Sequence, residues 1–157
     1  MAETRLPDVI DAIVTQAPDA PGMPVGIVVS DGYPIGELPQ TDDLLLVGVE
    51  DPADPDRADS GDTTQEFALS AGRSRDEAGS VRCCIGTVDG DGVAKTARDR
   101  AVSILGALAA LARSSAIPFG LQGLRKVGVT DVRLYQNQTE AGAECLLVFS
   151  LTYIARI

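Results

Sequence analysis

The sequence predicts an α+β fold: a mixed or antiparallel sheet packed against one long helix and a short N-terminal helix. Three observations carry this expectation. Apolar residues recur at helical spacing in two places, Val9 to Ala17 and Ala94 to Leu111. The other apolar runs are short and read as strands, ending in a pair separated by Asn137 to Gly142. Gly, Pro, Asp and Asn cluster between these runs, where turns require them.

The first helix is expected over Pro7 to Ala17. Pro7 suits the first turn, where a missing N–H costs nothing. Asp8 and Asp11 complement the positive end of the helix dipole. Val9, Ile10, Ile13, Val14 and Ala17 form one apolar stripe, and Pro18, Pro21 and Pro24 stop the helix. Val25–Val29 and Leu44–Val49 read as strands separated by a Ser30-Asp31-Gly32 turn. Both are apolar on both faces, which predicts central strands covered on two sides.

Asp51 to Asp62 reads as an exposed, mobile acidic loop, with Asp51, Asp54, Asp56, Asp59 and Asp62 and two prolines. Gln65–Ser70 alternates and predicts a strand with Phe67 and Leu69 inward. Gly72 to Gly79 reads as a charged turn or irregular connection, and Val81–Val88 as a strand with Val81, Cys83 and Ile85 on one face. Asp89-Gly90-Asp91-Gly92 marks a turn and offers Asp91 as the N-cap of the long helix. That helix is expected over Val93 to Ser114, burying Ala94, Ala97, Ala101, Ile104, Leu105, Leu108 and Leu111. Lys95, Arg98, Asp99 and Arg100 fall on its other side, and Pro118 and Gly120 mark the exit.

Lys126–Tyr135 and Ala143–Ile157 form the closing strand pair. In the second of these, Cys145, Leu147, Phe149, Leu151 and Tyr153 share the core face. Leu146, Val148 and Ile154 lie on the other face with Arg156. That face is too apolar for plain solvent exposure, which points to a covering helix or a neighbouring subunit, and these four residues are the candidates for a subunit or partner contact.

Length and composition narrow the function classes. A chain of 157 residues is expected to be one domain, and it can bury a core without staples. Trp is absent and aromatics make up 4%, so Val, Ile, Leu and Ala must build that core. The balance of 13 basic to 23 acidic residues, a net charge of −10, opposes binding to the nucleic-acid backbone. Cys83, Cys84 and Cys145 have no metal-ligand spacing and read as reduced, buried thiols. The N-terminus lacks a signal-peptide pattern, and Val102 to Ala112 is too short to span a bilayer.

The chemistry-bearing residue types are few. Without any His, the usual general base and the His-dependent nucleophile arrangements are absent. Gly86 to Gly92 precedes a helix but lacks the spacing of a dinucleotide or phosphate loop. Asp54 and Asp56 alternate as calcium ligands do, yet the central Gly and terminal Glu of a calcium loop are missing. Asp42-Asp43, Asp89 and Asp91 read as turn and cap residues. No catalytic, cofactor-binding or metal residue is therefore assigned.

The order of these elements resembles the tail terminator proteins of long-tailed bacteriophages, also called tail completion or minor tail proteins. The resemblance runs from Leu6 to Ile157. It rests on an N-terminal helix, strands with a long exposed loop, one Ala/Leu-rich helix and a C-terminal strand hairpin. The Ala/Asp/Gly/Val-rich composition is similar to that of such proteins from phages of high-GC actinobacteria.

The resemblance implies a structural virion protein, not an enzyme and without cofactor, that caps the head-proximal end of the tail tube as a hexameric ring. Its implied partners are other copies of itself, the tail tube protein and the head–tail connector, and assembly takes place in the host cytoplasm. DNA would pass through without specific binding, which an acidic lumen favours by like-charge repulsion. Two readings stand beside it: a tail tube or neck subunit, and a small ligand- or calcium-binding α+β module.

Overall fold

A computed structural model describes residues 3–34, 43–52, 59–67 and 74–157. The chain forms helix α1 (Leu6–Gln16), strands β1 (Val28–Asp31), β2 (Leu44–Val47), β3 (Gly61–Phe67) and β4 (Arg75–Asp89), helix α2 (Ala94–Ala112), and strands β5 (Leu124–Thr139) and β6 (Gly142–Arg156). The six strands make one mixed sheet, five of them in the order β1-β2-β4-β6-β5 and β3 off this path beside β4. One edge of β4 pairs with β6 along nearly its whole length. The other edge is shared by β2, opposite Cys83–Gly86, and β3, opposite Arg75–Val81. Among the described residues, only β1 and β2 run parallel.

Both helices lie on one face of this sheet, as the α+β pattern requires. Val9, Ala12 and Ile13 of α1 and Ala97, Ala101, Ile104 and Leu108 of α2 join one core with Leu45, Val47, Val81, Cys83, Ile85, Leu147, Phe149, Leu151 and Tyr153. Small residues on α2 let its backbone approach β4 and β6. The opposite sheet face carries a second, smaller cluster of Leu46, Val49 and Cys84, with Leu146 and Val148 packed against it. Cys83 and Cys84 thus point to opposite faces, as neighbours in a strand must.

Several elements differ from the sequence expectation, each for a local reason. β1 starts at Val28, Val25 is fully exposed, and Ser30 and Asp31 belong to the strand rather than to a turn. β1 is also an edge strand with half-buried residues, while β2 alone is buried throughout. β3 begins at Gly61, so Asp62 is a strand residue and not loop. Phe67 is exposed, with the Arg75 guanidinium 5.5 Å from its ring centre, instead of pointing inward. Leu69 lies outside the described residues.

The largest difference is at Arg75–Gly79, expected as a turn but forming the first third of β4. Its inward members are Glu77 and Gly79, neither of which registers as apolar periodicity. At Gly79 a side chain would meet the Tyr153 ring at 2.4 Å, so glycine leaves room for the aromatic on the paired strand. Glu77 is fully buried and accepts hydrogen bonds from the Arg5 amide (2.8 Å), the Gln65 side chain (2.8 Å) and the Tyr153 hydroxyl (2.7 Å). This carboxylate also sits at the positive end of α1.

At α2 the N-cap is Val93, with no side-chain cap bond, so Asp91 does not cap the helix; Asp89 accepts the Val93 amide at 2.8 Å and fixes the turn before it. Arg100, expected on the solvent side, reaches the Val88 carbonyl (3.0 Å) and pairs with Asp43. Asp43 is buried at the start of β2 rather than exposed in a turn, so the pair ties α2 to the sheet.

Candidate functional site

Among the described residues no helix covers the second face of the sheet, and strand register fixes what that face displays. β6 presents Leu146, Val148, Ser150, Thr152 and Ile154; β4 presents Cys84, Arg82, Ser80 and Ala78 beside them. β5 adds Tyr135, Arg133, Thr130 and Lys126 on the far side of β6. β3 adds Asp62 and Thr64 on the far side of β4.

The four residues expected at a contact divide along this face. Leu146 and Val148 are half-buried and come together over Leu46, Val49 and Cys84. Ile154 lies at the other end of β6 and is 42% exposed. Arg156 is taken up within the chain by a two-pronged pair with Asp76, at 2.5 and 3.0 Å.

Two depressions mark the face. One of about 500 Å³ is walled by Leu146, Val148, Tyr135, Arg82, Arg133 and Ser150. The other, about 580 Å³, lies between Lys126, Ile154, Thr152, Ser80 and Asp62. Arg82 stands between them, donating to Ser150 (2.8 Å) and lying 3.5 Å from Asp62, with its buried Nε unsatisfied. Sequence reading missed Arg82, Arg133, Tyr135 and Lys126 as members of this surface. Alternation alone could not place the three β5 residues, because β5 shifts register at Leu124/Lys126 and again at Thr130/Arg133, where Asp131 adopts a positive φ of 56°.

The acidic segment begins and ends at this face. Gly48 and Val49 donate to the Arg82 carbonyl (2.7 and 3.1 Å), and the Arg82 amide donates to Ser60 (3.0 Å). Asp51 lines the first depression, Asp59 is exposed just before β3, and Asp62 accepts the Ser80 hydroxyl. Asp54 and Asp56 lie outside the described residues.

The chemistry on offer is weak in nucleophiles. All three cysteines are free and buried. Burial pushes the Cys83 thiol up to about 12; at Cys84, burial and then the Asp51 carboxylate do the same. Among the described residues no group of three His, Cys, Asp or Glu side chains is placed to hold a metal ion. No described helix is long and apolar enough to cross a membrane. What the surface can do is bury apolar area and pair charges against another chain. No protein-family model matches the sequence, and a search of curated proteins finds no match.

Proposed function

We propose that the protein is a ring-forming structural subunit of a bacteriophage tail, acting as the terminator at the head-proximal end of the tail tube. The observation that carries the assembling role is the uncovered sheet face, where Leu146, Val148, Tyr135 and Ile154 stand beside unburied polar groups. A monomer gains nothing from keeping such a surface bare, while a neighbouring subunit buries it. The tail position is supported by the element order of the chain. The net charge of −10 favours a passage that DNA traverses without sticking. The partners are other copies of the chain, the tail tube protein and the head–tail connector.

Ile154→Lys is the cleanest probe, because Ile154 is exposed and its loss costs the monomer little. Leu146→Lys and Val148→Lys also disturb the small cluster beneath them. Burying an unpaired lysine in a subunit contact costs several kcal/mol. Size analysis at matched concentration, with electron microscopy of tails assembled with each variant, reads the outcome. Expected are capped tails of normal length with the parent and overlong or uncapped tails with Ile154→Lys. Parent protein that never oligomerises on tail tubes, or a variant that caps them normally, removes the reading. Parent protein incorporated along the whole tube identifies a tube subunit instead.

A further inference from the structure

We infer that two copies of this chain pair through the second half of β5, Arg133–Thr139, set antiparallel about a two-fold axis at Gln136 so that their sheets run on as one. The contact uses a strand edge rather than the face assigned to the ring, and it does not depend on that reading.

Among the described residues β5 pairs only with β6, so its other edge is open. The bulge at Thr130/Arg133 divides that edge. Beyond it, Arg133–Thr139 keeps an unbroken register with β6 up to the turn at Glu140-Ala141, and every residue of the stretch is exposed. Counting back from the closing pair of Thr139 and Gly142, antiparallel alternation turns the N–H and C=O groups of Leu134, Gln136 and Gln138 outward. The Gln138 amide fits this, since it donates to the Asn137 side chain at 3.0 Å and not to β6. Devices that guard an edge against strand addition, such as a lysine, a proline or a bulge, are missing from Arg133–Thr139.

A second copy is the partner that fits. Pairing about Gln136 sets Leu134 against Gln138, Tyr135 against Asn137 and Arg133 against Thr139, and no like charges stand directly opposite. Arg133 shares a sheet face with Glu144, whose carboxylate is held by the Thr139 hydroxyl at 3.3 Å. Facing Thr139 of the other copy, Arg133 reaches that copy's Glu144, and the symmetry forms this ion pair twice. Neither residue has an ion pair among the described residues of its own chain. The two Tyr135 rings lie on a diagonal of the same face, near enough to touch. Continued past Thr139, the register runs off the end of the neighbour's hairpin, so the first half of β5 meets no strand. β1, β2 and β3 lie on the far side of β4, away from the contact. The net charge of −10 on each copy opposes the approach, as does Arg98, which donates to its own Gln136 at 3.3 Å beside the axis. Salt at about 0.15 M, which screens charges more than about 8 Å apart, therefore favours pairing. Such an isologous contact closes at two and covers an edge that otherwise templates other chains.

Sedimentation of the full chain in about 0.15 M salt, at concentrations up to about 1 mM, tests this. The parent is expected to pass from monomer to dimer. Gln136→Pro removes an outward N–H that β6 does not use, a change an edge strand accepts, and leaves the chain folded and monomeric. Arg133→Glu and Glu144→Arg each weaken pairing about ten-fold. Both changes in one chain restore it, because the ion pair is then reversed but intact. Ile154→Lys, the probe of the ring face, leaves the equilibrium unchanged, so the two readings fail separately. A parent that stays monomeric throughout, or a dimer lost in Ile154→Lys, overturns the β5 contact. So does a folded Gln136→Pro chain that pairs as the parent does, or a double variant no tighter than the single ones. If Gln136→Pro does not fold, the charge exchange decides alone.

Discussion

Tyr153 donates its hydroxyl to Glu77 Oε1 at 2.7 Å, joining β6 to a carboxylate in β4 from which water is excluded. Burial raises the pKa of Glu77. The hydrogen bonds from Tyr153, the Arg5 amide, Thr4 and Gln65 outweigh that effect and hold it below its ordinary 4.5. Tyr153→Phe removes one donor from a buried charge and is expected to cost about 1.5–3 kcal/mol by urea denaturation. A loss no larger than a surface change, about 0.5 kcal/mol, would show that the carboxylate is solvated instead.

The same carboxylate sets an acid limb. A folded-state pKa below the unfolded value gives stability that is present above 4.5 and lost as pH falls through the folded value. The parent is therefore expected to lose stability steeply on acidification below about pH 4.5. Glu77→Gln flattens that loss and is less stable than the parent at neutral pH. Denaturation midpoints across the acid range decide between these curves; parallel profiles for the two proteins contradict the assignment.

Gly79→Ala drives a methyl into the Tyr153 ring at 2.4 Å and is expected to destabilise by about 1–3 kcal/mol through overpacking. A chemical denaturation curve superimposable on that of the parent would mean the ring does not lie over Gly79.

In the main core, Leu108→Ala is expected to cost about 2–5 kcal/mol, through lost burial and a residual cavity. Leu105, on the same stripe but only half-buried, should cost less. A reversed order would show that α2 is turned differently about its axis.

The native protein is expected to leave all three thiols unmodified by a thiol reagent at pH 8, with full reaction on denaturation. Burial keeps the reactive thiolate scarce and shielded. Rapid modification of even one native thiol speaks against the placement of Cys84 beneath Leu146 and Val148.

The sequence was readable where buried positions were apolar and regular. α1, α2, β2 and the core face of β6 follow from spacing alone, and so does the apolar second face of β6 at Leu146 and Val148. It was unreadable where burial uses other means. Glu77 is buried because donors seventy-odd residues away satisfy it, and Gly79 because an aromatic needs its space. Phe67 looks inward by alternation, yet stays outside against Arg75. The contact surface was half legible. Its apolar members showed in β6, but Arg82, Arg133 and Lys126 join them only through pairings and bulges that no single strand reveals.

The buried Glu77 has a consequence for how the chain acquires its shape during synthesis. α1 emerges from the ribosome early, but the carboxylate that receives its first amide follows 72 residues later, and the tyrosine that holds the carboxylate a further 76 residues on. Until β6 is made and paired, the Glu77 carboxylate beneath the start of α1 lacks its Tyr153 donor, and β4 lacks its longest strand partner. Such distant pairings slow folding. The nascent protein therefore depends on completion of its C-terminal hairpin, and a ribosome stalled before β6 leaves a chain exposed to aggregation rather than a smaller folded unit.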